Sequence, residues 1–395
     1  MGEWKNCTLS SLGTIVGGAT PSTKKPENYE GGEIPWITPK DLSGFSGRYI
    51  SCGERNITEI GLKSCSAQMM PKHSVLFSSR APIGYVAISD CDVCTNQGFK
   101  SIVPNRDTDY LFLYYLLLYK KHEIENLGSG TTFKEVSAST MKGVEVRVPV
   151  DKREQERIAG ILLALDDKIE SNAHINENLL EQALTLYATQ FSSLELNGCI
   201  GDYCSVKSGF AFKSSWWTNC GVRVIKIGSI NQDNLNLLEC SYVDEDKANK
   251  AKDFVVKAGD LLIAMTGATI GKFAMVPYSS EVLLVNQRVG KFFLGNNPVE
   301  KLPFIYCTLK QPEVYAEVVN RGQGSAQPNI SASDIMSIPC VIPSQDAINN
   351  FNDMSQPLFD LIISNQRENR QLSELRNALL PKLMSGELDV SDIEL

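Results

Sequence analysis

Two Gly-rich stretches carry the residue types best suited to binding chemistry. Residues 127–134 read Leu-Gly-Ser-Gly-Thr-Thr-Phe-Lys, and residues 320–328 read Asn-Arg-Gly-Gln-Gly-Ser-Ala-Gln-Pro. Hydroxyl, amide and cationic groups on a backbone that allows close approach suit hydrogen bonding to phosphates or to base edges. The same composition also makes a plain solvated turn. Other short stretches repeat the theme in pairs. Trp36-Ile-Thr-Pro-Lys40 parallels Lys226-Ile-Gly-Ser-Ile-Asn231, and Ser78-Ser79-Arg80 parallels Met265-Thr266-Gly267-Ala-Thr269. The candidate contacts are therefore Lys40, Ser79, Arg80, Thr131 and Lys134 in the first half, and Lys226, Asn231, Thr266, Arg321, Gln323 and Gln327 in the second. The pairs Asn96-Gln97 and Asn286-Gln287 sit in similar frames, TNQGFKSI and VNQRVGKF. Residues common to both copies more often hold a shared fold than read two different sequences, so these are assigned to structure first and to contact second.

The sequence offers no catalytic constellation. His73, His122 and His174 are its three histidines, and none has a neighbour at nucleophile or metal-ligand spacing. Gly267 through Lys272 is one residue short of a P-loop and lacks the following Ser or Thr. There is no Asn/Asp-Pro-Pro-aromatic tetrapeptide and no G-x-G-x-x-G loop. The 11 cysteines are scattered, with Cys91-x-x-Cys94 the only CxxC, which reads as reduced cytosolic thiols and not as a metal site or a disulfide framework. No apolar run reaches about 18 residues, so no transmembrane helix is expected. The expectation is a cytoplasmic recognition protein with no catalytic residue, no metal site and no membrane segment.

Net charge is −8, which by itself disfavours a nucleic-acid partner. Its distribution reverses that inference. Residues 1–150 hold 16 Lys/Arg against 15 Asp/Glu, and residues 198–343 hold 14 against 13. Residues 151–197 and 344–395 each hold 4 against 9. The acidic excess thus lies in the two intervening segments, and each remaining half can carry a local basic face.

Those boundaries follow an internal repeat. Ser137-Ala-Ser139 matches Ser331-Ala-Ser333 at an offset of 194, Asn96-Gln97 matches Asn286-Gln287 at 190, and Gly84 matches Gly271 at 187. A period near 190 is too long for a solenoid, so the chain reads as two copies of a globular domain plus a helix. The domains are 1–150 and 198–343, and the helical spacers are 151–197 and 344–395. Strands are expected at 33–38, 74–77, 85–88 and 144–148, and at 222–227, 260–265, 273–276, 289–293 and 339–342. One amphipathic helix is expected in each domain, at 109–125 and 303–319. The fold class is α+β.

The helical segments, 157–190 and 350–383, carry apolar residues in alternating steps of four and three, the seam of a coiled coil. Each places two Asn in mid-seam: Asn172 and Asn176 in the first copy, Asn365 and Asn369 in the second. Buried polar groups cost stability and fix register. In an antiparallel pairing Asn172 meets Asn369 and Asn176 meets Asn365, both with an index sum of 541. The alternative is that each helix packs on its own globular neighbour. Pro357 lies inside the second segment and predicts a kink or a delayed start near Ser355.

The arrangement resembles the specificity (S) subunit of type I restriction-modification systems over the whole chain. The matching stretches are IPWITPKDLSG (34–44), APIGYVAI (81–88), TNQGFKSIVP (95–104), GSGTTFKEVSASTMKGVEVRVP (128–149), EQERIAGILLALDDKIESN (154–172) and LLPKLMSGEL (379–388). The second copy departs from the pattern, with Ser344-Gln345-Asp346 where the first has Glu154-Gln155. The resemblance implies two target recognition domains, each reading half of a bipartite asymmetric sequence in double-stranded DNA, joined by two long helices as an antiparallel coiled coil with an internal pseudo-two-fold. It also implies partners: two modification (M) subunits, which carry S-adenosylmethionine, and restriction (R) subunits, which use Mg and ATP. No cofactor would reside in this chain. The competing readings are a stand-alone DNA-binding or anti-restriction module, a degenerate methyltransferase, and an inert structural adapter.

Overall fold

The computed structural model describes residues 2–45, 47–80, 82–130, 134–322 and 328–390. The chain forms two compact units, Met1–Asp167 with Ser373–Leu395, and Lys168–Leu372. The unit boundaries fall inside the helices and not at their ends. Each unit therefore owns a stretch of both long helices, Lys152–Phe191 and Gln345–Ser385.

The two units repeat one sheet plan. In the first, Gly13–Gly17, Lys100–Pro104, Val75–Phe77 and Val86–Ser89 lie side by side in that order, with Tyr49–Ile50 at the edge. In the second, Ser205–Ser208, Val289–Phe293, Leu261–Ala264 and Phe273–Met275 take the same four places. A second sheet runs Arg55–Ile57, Ile34–Ile37, Cys94–Thr95 in the first unit and is matched by Ser241–Val243, Val222–Ile225, Leu283–Val285 in the second, with the last pair parallel in both. Val75–Phe77 and Leu261–Ala264 are buried along their whole length, which is why they read as continuous apolar runs and not as alternating ones.

A helix covers the first sheet of each unit. In the first unit it is Tyr110–Asn126, started by the Asp109 carboxylate accepting from Phe112 N at 2.8 Å. In the second, the helix expected at 303–319 is two helices, Leu302–Leu309 and Pro312–Gly322. Pro312 breaks the run: with no N–H to donate, it fits the first turn of a new helix better than the interior of an old one.

Each covering helix is tied to a long helix by an amide. Gln155 Oε1 accepts from Asp109 N at 3.0 Å and its Nε2 donates to Pro149 O at 3.1 Å. In the second unit Asn352 Oδ1 accepts from Phe304 N at 2.9 Å. The Glu-Gln pair missing from the second copy is thus replaced by an amide on the same helix, a few residues later.

The second long helix starts at Gln345, which overturns the delayed start near Ser355, and it runs through Pro357. An interior proline costs about 3 kcal/mol. Ile348 and Phe351 before it and Phe359 and Ile362 after it are all buried, and that packing holds the helix across the break.

Within the second unit the two helical stretches pair antiparallel through the asparagines. Asn172 Nδ2 donates to Asn369 Oδ1 at 2.8 Å and to Glu368 Oε2 at 2.7 Å. Asn365 Nδ2 donates to Asn176 Oδ1 at 2.8 Å. Within the first unit, Ile158, Leu162, Leu383 and Met384 are buried in the core beneath the Tyr110–Asn126 helix. There Arg376 is carried by an ion pair: its Nη1 lies 2.6 Å from Asp166 Oδ1, and Tyr115 Oη donates to Asp166 Oδ2 at 2.7 Å.

Candidate nucleic-acid interface

In each unit four loops converge because main-chain hydrogen bonds stitch them together. In the first, Asn96 N donates to Ile37 O at 3.0 Å, Ser79 N to Gly98 O at 2.7 Å, and Val136 N to Ser79 O at 2.9 Å. In the second, Asn286 N donates to Ile225 O at 3.0 Å, Met265 N to Arg288 O at 3.0 Å, and Ile330 N to Met265 O at 2.9 Å. The Asn side chains close the same turn in both copies: Asn96 Oδ1 accepts from Gly98 N at 2.8 Å, and Asn286 Oδ1 from Arg288 N at 3.2 Å. The shared Gly84 and Gly271 have φ of 91° and 82°. A Cβ would lie 2.6 Å from Lys121 Cγ at the first and 3.1 Å from Val319 Cγ2 at the second, so backbone geometry and crowding both favour glycine. The result is one rigid loop platform, built twice.

On the first platform Lys40 is exposed and paired with Glu54 at 2.6 Å, which holds its ammonium above the ordinary lysine range. Such a surface pair exchanges readily for a phosphate. Arg80 Nε lies 3.0 Å from Glu135 Oε2, and the other carboxylate oxygen is 3.6 Å from Lys100. The Arg80 hydrogen bond is the main cause that keeps the Glu135 carboxyl below its usual range. Lys134 is exposed beside that pair. Ser79 is buried, and its Oγ donates to Gly98 O at 3.2 Å. It braces the platform and offers nothing to a ligand, so it leaves the contact set. Thr131 lies outside the described residues.

On the second platform Lys226 Nζ sits 3.5 Å from the Trp217 ring centroid, and burial lowers its pKa. Asn231 is exposed in a hairpin formed by Ile230–Asn231 and Asn234–Leu235. The hairpin turn is pinned by Asp233, whose φ is 64° and whose carboxylate accepts from Tyr306 Oη and pairs with Lys310 Nζ. Thr266 is half-buried, and its Oγ1 has no hydrogen-bond partner among the described residues. Arg321 is spent inside the protein: it contacts Glu317 Oε1 at 2.7 Å, Asp334 O at 3.0 Å and Ser337 Oγ at 2.6 Å. It closes the carboxyl end of the helix Ala332–Met336. Gln323 and Gln327 lie outside the described residues.

Gln287, weighed above as structural first and contacting second, is exposed, and so is Arg288, which was not among the candidates. Arg288 occupies the place of Gly98 on the first platform, where Arg80 and Lys134 supply the cations instead. The signal was the difference inside the matched frames NQG and NQR, which an argument from likeness passes over. The histidines contact Tyr110, Glu125 and Glu177. The described residues include no group of three His, Cys, Asp or Glu able to hold a metal ion. Rigid loops presenting amides, hydroxyls and cations are equipped to bind a polyanion and read its edges.

A family model described as type I restriction modification DNA specificity domain matches residues 1–181 and 196–372. The type I restriction enzyme MjaIX specificity subunit of Methanocaldococcus jannaschii is 33% identical over 418 aligned positions, covering 99% of this chain and 95% of its own. The EcoR124I/EcoR124II specificity subunit of Escherichia coli is 31% identical over 170 positions, 42% of this chain and 41% of its own. The crystal structure of a type I restriction-modification system S subunit from M. genitalium shares the fold, with a TM-score of 0.58 at 18% identity over 97% of this chain and 96% of its own.

Proposed function

The chain belongs to the type I restriction-modification DNA specificity family, and from that premise we propose that its two platforms each read one half of a bipartite, asymmetric target in double-stranded DNA. The observation that carries this reading is the pairing of one scaffold with two sets of side chains. The same main-chain bonds recur in both units, while Arg80 stands against Thr266 and Gly98 against Arg288. A common frame with different exposed groups is what reading two different half-sites requires. Each matched base pair is worth about 1–3 kcal/mol of discrimination, so two short half-sites together reach a specificity that neither reaches alone.

The chain is the non-catalytic recognition subunit. In this reading methylation and cleavage belong to partners: two modification subunits holding S-adenosylmethionine, and restriction subunits using Mg and ATP, all in the cytoplasm. The acidic helical segments, each with 4 Lys/Arg against 9 Asp/Glu, favour a protein partner over the DNA. The helices also act as the spacer. The helices have 40 and 41 residues and are about 60 Å long at roughly 1.5 Å per residue, more than one turn of B-DNA at roughly 34–36 Å. Residues inserted into them should lengthen the unread gap in the target.

Methylome sequencing of the host with and without this gene tests the proposal. The expected result is one bipartite motif with a fixed gap that loses its methylation when the gene is removed. An unchanged methylome overturns the reading.

A further inference from the structure

The second unit carries a group of cations that the loop platform does not use. Three lysine Nζ atoms gather on the indole of Trp216: Lys250 at 5.3 Å, Lys213 at 5.7 Å and Lys247 at 5.8 Å from the ring centroid. No two of them can lie farther apart than 11.5 Å, the sum of 5.7 and 5.8 Å. A pair at that limit is largely screened, with a screening length of about 8–10 Å at physiological salt, and closer pairs repel one another. Lys226 lies over the adjacent indole, Trp217. Among the described residues Asp246 pairs with Lys247, and no carboxylate is in ion-pair contact with Lys213, Lys226 or Lys250. A bound anion would relieve the repulsion.

The indoles are fixed from below. Phe210 stacks on Trp216 at 6.2 Å and 17°, and Phe212, which is buried, meets both Trp216 and Trp217. Phe210 also joins this surface to the platform, because its carbonyl accepts from Gln287 N at 2.9 Å. Phe210 thus connects the indole surface to the loop that carries Gln287 and Arg288. The first unit is built otherwise: Trp36 packs edge-on to Tyr29 and donates its Nε1–H to Ala19 O at 3.0 Å. No cation lies over Trp36 among the described residues.

We propose that Lys213, Lys247 and Lys250, seated on Trp216, form a binding site for the phosphate backbone of double-stranded DNA flanking the half-site read by the second platform. The inference rests on the DNA-reading function above and adds an asymmetry: one unit grips DNA independently of sequence as well as reading it. Ammonium groups held on indoles are point charges suited to phosphate oxygens, and they carry no base code.

The test is a salt titration of the full chain and its K213Q/K247Q/K250Q variant on duplexes of equal length, with and without the target motif. Each phosphate contact contributes about 0.9 to the slope of log affinity against log salt. The variant should lose about 2 to 3 of that slope and weaken on both duplexes by the same factor, leaving their ratio unchanged. The K213R/K247R/K250R variant should restore the slope. An unchanged slope overturns the site. Weakening confined to the target duplex also overturns it, because the lysines would then read bases. So does an intact slope with loss of a co-purifying protein, because the surface would then serve an acidic protein. If the unmodified chain binds neither duplex, the DNA-reading function fails first and takes this site with it.

Discussion

The asparagine layer of the helix pair gives the sharpest quantitative prediction. Asn172 is 1% exposed, and its Nδ2 donates to Asn369 Oδ1 and to the Glu368 carboxylate. A neutral hydrogen bond contributes about 1 kcal/mol net, and one to a charged group about 1.5–3. Glu368 is 45% exposed, so its bond belongs at the low end of that range. Asn172→Ala should therefore cost about 2.5 kcal/mol. Asn369→Ala removes the shared bond and the one from its own Nδ2 to Ile169 O, measured at 3.1 Å, and should cost about 2 kcal/mol. The shared bond is counted in both, so the double variant should fall short of the sum by about 1 kcal/mol. Asn172→Leu with Asn369→Leu replaces the pair by apolar groups and should match or exceed the parent in stability. Urea unfolding followed by tryptophan fluorescence measures this, in a Trp4→Phe/Trp36→Phe background where only Trp216 and Trp217 report. Those two belong to the unit that holds both asparagines. With a urea slope of about 1–3 kcal/mol/M, Asn172→Ala should lower the midpoint by about 1 M. A shift below about 0.2 M, or strict additivity, would show that the apolar layers alone set the register.

Two further outcomes follow from the site and from the first unit. Arg288→Gln should leave thermal unfolding unchanged and relax one position of the second half-site by about 1–3 kcal/mol in discrimination, read by binding selection on randomised duplexes; a uniform loss across all sequences would make Arg288 a phosphate contact instead. Asp166→Asn weakens the acceptor for Arg376 and Tyr115 in a site where Asp166 is 15% exposed, and should cost about 3 kcal/mol in stability, whereas Tyr115→Phe should cost about 1; equal costs on thermal melting would contradict the ion-pair assignment.

Much of the architecture was legible because it rests on periodicity and repetition. The repeat placed the equivalent strands and loops, the helix expected at 109–125 matches Tyr110–Asn126, and the four-three spacing marked both long helices. What escaped depends on distant partners. Arg321 sits in a loop of binding composition, yet its guanidinium is taken by Asp334 and Ser337, which close the end of another helix. Ser79 has the hydroxyl a contact needs, but the strand connection buries it against Gly98. Spacing shows which face of an element is buried; it does not show which atom a long side chain reaches. Pro357 misled for a related reason: a local penalty was outweighed by Phe351 and Phe359, whose burial depends on residues far away in sequence.

The discontinuity of the first unit has a consequence in time. Its core holds Ile158 and Leu162 from one part of the chain and Leu383, Met384 and Val390 from another, while residues 168–372 belong to the other unit. At about 5–20 residues per second of synthesis, the roughly 200 intervening residues keep the ribosome occupied for about 10–40 s. Throughout that interval the amino-terminal part of the nascent chain has an unfilled apolar face. The half made first is therefore completed last, when the final helix emerges.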